Sequence, residues 1–270
     1  MTVPPVGLPN SERSHKPNTS RVSASSPVSL NVPQQDVYEE SENWSRVVAT
    51  DDPLNYRMVW AWWNVPTIVG FELNNFDAAS LWVGIGGYGT CELMQTGTEQ
   101  ITYTLPYLGE IAISRAWTEY VPNSEYVIPN FPVIPGYSII ASVQEGSNDT
   151  ATFQIEETDT NGNPYAQYGA FVAKPSGTFY ATSAECIAEL PNYGANTHLS
   201  NYGAALFTHA AYYQKNGGSS SWYYYYNQAN RPGTIHWITM YIFYNGDLLS
   251  QPLPVSSTID QMLCTWYGYN

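Results

Sequence analysis

The run Ala151-Thr152-Phe153-Gln154-Ile155-Glu156 puts an apolar side chain at every second position and a polar one between. Side chains alternate across a strand with a period of two, so this segment reads as a half-exposed antiparallel strand. The most continuous apolar stretch, Thr234 to Phe243, is rich in Ile and aromatic residues and is followed by Asn245-Gly246. That pattern predicts a buried strand turning back through a hairpin. Asn161-Gly162-Asn163-Pro164, Pro175-Ser176-Gly177 and Asn216-Gly217-Gly218 separate further short strand candidates at the spacing of a β-sandwich. With no internal repeat and no long amphipathic helix, the expectation is an all-β chain.

Composition agrees. The 270 residues include 23 Tyr, 9 Trp, 20 Gly and 19 Pro, which favour strands and turns over helices. A hydrophobic content of 43% is enough for one sizeable core, so a single folded body is expected. From Met1 to about Asp36 the chain is rich in Ser and Pro, has no aromatic residue and shows neither period. Residues 1–37 therefore read as a disordered leader or propeptide remnant, and 38–270 as the folded domain.

Charge narrows the function. Nine Lys and Arg against 23 Asp and Glu give a formal charge of −14, which repels nucleic-acid phosphate and anionic lipid. At acidic pH many of these carboxylates become neutral, so the chain suits acidic surroundings. Cys91, Cys186 and Cys264 show no C-x-x-C spacing and no histidine companions; they leave room for one disulfide and give no zinc site. His15, His198, His209 and His236 form no i, i+4 pair and read as surface or satisfied residues, so no metal or other cofactor is expected. No apolar run reaches eighteen residues, and the first residues lack the basic start and apolar run of a secretory signal. Asn18, Asn43 and Asn148 lie in N-x-S/T sequons, which matter only on a glycosylating pathway.

Four short motifs carry a more specific reading. Leu81-Trp82-Val83-Gly84-Ile85-Gly86-Gly87 is followed by Cys91 and then Leu93-Met94-Gln95-Thr96-Gly97. Downstream come Ala116-Trp117-Thr118-Glu119-Tyr120-Val121-Pro122 and Ala184-Glu185-Cys186-Ile187-Ala188-Glu189. In this order they resemble the glutamic peptidases, or eqolisins: W-V-G-I-D-G, L-Q-T-G, A-W-Y-E-W-Y-P and A-E-(F/W)-I-(I/V)-E. Asn43-Trp44, Asn64-Val65-Pro66 and Ile238-Thr239 are weaker echoes, so the similarity spans roughly 40–251. The departures are Gly86 for the family's Asp, Cys186 for an aromatic residue, and Tyr120-Val121 for Trp-Tyr.

The resemblance implies a concanavalin-like jelly-roll sandwich of two antiparallel sheets, with the cleft on a curved outer face. It implies a secreted, monomeric endopeptidase acting on polypeptides, with Gln95 and Glu189 as the catalytic pair. It gives Glu119 a supporting role and makes Trp44, Trp82 and Trp117 cleft aromatics. On a strand, Glu185, Ile187 and Glu189 share one face and Ala184, Cys186, Ala188 and Leu190 the other, so the small residues meet the core and Glu189 faces out. By analogy, Glu189 takes a proton from the attacking water and returns it to the departing nitrogen, while Gln95 holds the water and donates to the oxyanion. A glutamate with an ordinary pKa of about 4.3 is partly ionised in acid, which points to an acidic optimum. A neutral amide partner also differs from a pair of aspartates, which points to insensitivity to pepstatin. The competing readings are a carbohydrate-binding sandwich or glycosidase, whose Trp and Tyr stack on sugars beside Glu119 and Glu189, and a catalytically silent relative.

Overall fold

A computed structural model describes residues 36–50, 56–69, 76–105, 109–146, 150–173, 179–193, 197–216, 219–225, 234–241, 246–255 and 260–268. The described residues form seventeen strands and no helix. The first sheet runs β1 (Asp36–Ser41), β15 (Thr234–Tyr241), β2 (Trp44–Thr50), β11 (Ala184–Glu189), β4 (Phe76–Gly86), β5 (Leu93–Leu105), β6 (Gly109–Tyr120) and β7 (Tyr126–Val127). The second runs β14 (Ser219–Tyr224), β13 (Ala204–Asn216), β3 (Tyr56–Asn64), β8 (Ser138–Glu145), β9 (Ala151–Thr158) and β10 (Pro164–Val172). β13 joins the two sheets, because its first residues pair with β17 (Met262–Trp266), which pairs with β16 (Leu248–Pro254) and so returns to β15. The sheets are antiparallel except where β1 runs parallel to β15 and where β12 (Thr197–Leu199) runs parallel to the start of β4.

The strands follow the alternation in the sequence. On β9, Ala151, Phe153 and Ile155 enter the core while Gln154 is exposed. β15 is buried for most of its length and pairs antiparallel with β16. Of the turn between them, Gly246 is described and has a φ of 69°, while Asn245 lies outside the described residues. At 161–164 the Asp159 carboxylate accepts from the backbone N–H groups of Asn161 and Asn163, and Gly162 takes a φ of 81°. Residues 175–177 and most of the 1–37 leader lie outside the description, as do 217 and 218, although Asn216 and Ser219 pair across that turn.

The core lies between the sheets. Val47, Leu81, Val83, Ile85, Cys186 and Trp237 meet Val59, Trp63, Val143, Phe153, Phe207 and Tyr212 there. The opposite face of the first sheet carries a second buried cluster of Trp44, Trp82, Leu93, Trp117 and Ile187. Burying side chains of this size contributes roughly 1.5–3 kcal/mol each, which is ample reason for a separate small core to form there. All three cysteines are free, so the disulfide for which the sequence left room is absent. Burial holds the Cys186 thiol above its ordinary range and pushes Cys264 up to about 12, so neither is a thiolate nucleophile.

Candidate active site

The far face of the first sheet gathers the residues singled out in the sequence. On β11, Ala184, Cys186 and Ala188 enter the main core, which leaves Glu185, Ile187 and Glu189 on the opposite side. The same parity puts Trp44 and Arg46 of β2, Trp82 and Gly84 of β4, Gln95 and Gly97 of β5, and Trp117 and Glu119 of β6 on this face. Glu189 points away from the intersheet core as expected, yet it does not face solvent: it has 0% exposure. The reason is the tryptophan cluster. Trp44 Nε1 donates to Glu189 Oε1 at 3.1 Å, and Trp82 Nε1 donates to Glu189 Oε2 at 2.8 Å. The two indoles meet edge to face with centroids 5.3 Å apart, and Trp82 makes a similar contact with Trp117 at 6.5 Å.

Two glycines let Trp82 lie flat against the sheet. A Cβ on Gly97 would come within 2.2 Å of the Leu81 carbonyl oxygen and 2.5 Å of Trp82 Cβ. One on Gly84 would meet the Trp82 ring at 2.8 Å. The Gly of L-Q-T-G and the first Gly of W-V-G-I are thus explained by close approach alone.

Gln95 is also fully buried, and its Nε2 donates to Glu119 Oε2 at 2.5 Å. Because a carboxylate only accepts, this bond fixes which end of the amide faces Glu119. Gln95 Oε1 and the second N–H remain for other partners, and Oε1 has none among the described residues. Gln95 lies opposite Gly84 and Glu189 opposite Ser80, so the two stand four residues apart along β4 and on flanking strands. Trp82 fills the row between, with its N–H on Glu189 and its ring over Gly84.

Charged residues that were not singled out in the sequence surround this centre. Arg46 and Glu185, both 0% exposed, face each other with Nη1 and Oε2 3.8 Å apart. Burial raises the Glu185 carboxyl to about 8 despite the attraction of Arg46, and burial lowers Arg46 to about 10. Glu99, buried, pairs with Arg115, whose Nε donates to Oε2 at 2.7 Å. At the β1 edge the Glu39 carboxylate accepts from Tyr88 at 2.6 Å and lies 2.9 Å from His236 Nδ1. The His236 bond, aided by Tyr88, holds Glu39 below the usual carboxylate range. Parity alone could have pointed to Glu185, two rows from Glu189 on one strand; nothing local connects Glu39 with His236, 197 residues away.

The antiparallel two-sheet sandwich, with the four motif segments on neighbouring strands of one sheet, is the architecture that the resemblance to the glutamic peptidases implies. The family model of the Peptidase A4 family matches residues 42–232, and the chain belongs to that family. Among solved structures, the fold is similar to scytalido-glutamic peptidase bound to a transition-state analogue inhibitor (TM-score 0.62, 20% identity, covering 84% of this chain and 98% of that one). It is also similar to SCP-B, an eqolisin in complex with the tripeptide Ala-Ile-His (TM-score 0.56, 19% identity, 84% and 98% covered). Aspergilloglutamic peptidase from Aspergillus niger is a further match (TM-score 0.53, 23% identity, 71% and 99% covered). At these identities the likeness carries the fold. No curated protein matches the chain.

Proposed function

We propose that this chain is an acid endopeptidase that hydrolyses peptide bonds with Glu189 and Gln95. The observation that carries the reading is the double indole clasp on Glu189, on the same face as a glutamine whose amide is already oriented. Each Glu189 oxygen accepts one indole N–H, which fixes the orientation of the carboxylate. A peptide laid over the Trp82 ring, between the two groups, would present its carbonyl to both.

In the reaction, Glu189 takes a proton from water as the water oxygen bonds to the carbonyl carbon. The second N–H of Gln95 donates to the oxyanion, while Glu119 holds the amide in register. When the C–N bond breaks, the nitrogen takes the proton from Glu189, leaving a carboxylic acid and a free amine. Protonation of the leaving nitrogen is easiest in acid, and activity peaks there. Pepstatin, which suits a pair of aspartates, leaves it uninhibited. Since Gln95 and Glu189 have no exposed surface, the cleft must open before substrate enters.

The same reading takes residues 1–37 as a leader and 38–270 as the catalytic body, although β1 already begins at Asp36. It describes a monomer, working outside the cell on polypeptides and not on nucleic acid. The test is digestion of a denatured protein by wild type, Gln95→Ala and Glu189→Gln between about pH 2 and 5, a window set around an ordinary glutamate. Wild type cuts, and both variants lose at least about a hundredfold in kcat/KM, in the range of a lost oxyanion donor or general base. No cutting by wild type sinks the peptidase reading; full activity in Gln95→Ala sinks the pair.

A further inference from the structure

Arg46 is the least expected residue on the site face. A guanidinium carries five N–H donors and is costly to bury without partners. Here it is 0% exposed, yet none of its three nitrogens has a hydrogen-bond partner among the described residues, and neither does either oxygen of Glu185. The two groups face each other at 3.8 Å, too long for a hydrogen bond. They face each other in the interior without a direct hydrogen bond between them.

Two aromatic rings also pack on the guanidinium. Its Cζ lies 4.2 Å from the Trp44 ring centroid and 5.1 Å from that of Tyr88. Contact with aromatic rings holds Arg by its planar face and leaves the N–H edge for in-plane partners. Trp44 is the residue whose indole N–H binds Glu189. Arg46 therefore stands one row from the proposed base, on β2, opposite Ile187 of β11. Glu185 stands across Gly84 from Gln95, with the Trp82 ring lying over that glycine.

We propose that Arg46, with Glu185 beside it, is a binding subsite for a carboxylate of the peptide substrate, either an acidic side chain near the scissile bond or a free C-terminus. This rests on the peptidase reading above. The donor set fits. The planar fork of Arg46 matches a carboxylate in two parallel N–H···O bonds. Burial keeps Glu185 protonated in acid, where it offers an O–H donor in place of a repelling charge. Arg46 stays charged throughout that range. The other charges near Arg46 are Glu189 and Glu39, and Glu39 is bound to Tyr88 and His236.

The test uses matched quenched-fluorescent peptides at about pH 5, where an ordinary Asp is ionised. One set exchanges Asp for Asn at each position around the scissile bond; the other compares a free C-terminus with its amide. For wild type, the carboxylate member of a pair is preferred by roughly ten- to hundredfold in kcat/KM, the worth of a charge-assisted double bond, and a preference for the neutral member overturns the proposal. Arg46→Met loses the preference while still cutting the neutral peptide, which also reports that it folds, and Arg46→Lys keeps part of it. Which set shows the preference tells a side-chain carboxylate from a terminal one. Equal rates for both members in every pair, or a preference retained by Arg46→Met, overturn the proposal. If wild type cuts none of the peptides, the peptidase reading fails. Calorimetric binding of the same pairs to wild type then decides the subsite, with equal affinities overturning it. Should Arg46→Met not fold, the wild-type preference and its reduction in Arg46→Lys decide the matter, and an undiminished preference in Arg46→Lys overturns the subsite.

Discussion

Replacing Glu185 by Gln tests the electrostatics of the site in a way that does not depend on catalysis. Glu185 is fully buried, and burial raises its carboxyl from an ordinary 4.5 to about 8. Between those values the folded protein keeps a proton that the unfolded chain releases. Stability is therefore retained below about pH 4.5 and falls as the pH rises towards 8. Each pKa unit is about 1.4 kcal/mol, so the interval from 4.5 to about 8 amounts to about 5 kcal/mol. Gln keeps the shape and cannot ionise, so Glu185→Gln lacks this component. In urea titrations at about pH 4.5 and 8, wild type should lose about 5 kcal/mol more than the variant between the two, which is on the order of 10–20 °C in melting temperature. Parallel pH dependences for the two proteins would refute the claim that Glu185 is buried as a neutral acid.

Trp82→Phe keeps the ring cluster but removes the 2.8 Å donor to Glu189; a bond to a charged group is worth about 1.5–3 kcal/mol, so kcat/KM should fall roughly ten- to hundredfold with circular dichroism unchanged. Trp44→Phe removes the 3.1 Å donor and should act in the same direction. Gly97→Ala forces a methyl to within 2.2 Å of the Leu81 carbonyl oxygen, so denaturant unfolding should show a loss of at least about 1–3 kcal/mol. Glu119→Leu leaves the Gln95 amide unheld; kcat should drop by at least about tenfold while KM changes less, as expected of a group whose orientation matters in the transition state.

Much of the fold was legible because strand alternation is local. The period of two at 151–156, the buried run from Thr234 and the Asn161-Gly162 turn each correspond to an observed feature. The face assignment of β11 also follows from parity, down to Cys186 and Ala188 in the core. What parity cannot say is what lies above a residue, and for that reason it suggests an exposed Glu189 where the structure has a buried one. That burial comes from indoles 145 and 107 residues away in the chain. Likewise Glu185 reads in the sequence as one more strand glutamate, and only the pairing of β2 with β11 sets Arg46 facing it.

The all-β class, the sharing of faces along each strand and the family motifs can all be read from the chain alone, because they depend on neighbours within a few residues. Packing of distant strands is what closes Trp44 and Trp82 on Glu189, sets Glu119 against Gln95, and buries Arg46 and Glu185 without hydrogen-bond partners among the described residues. The physical reason is that burial and pairing are set by sheet register between distant strands, and register is fixed by how the whole core packs.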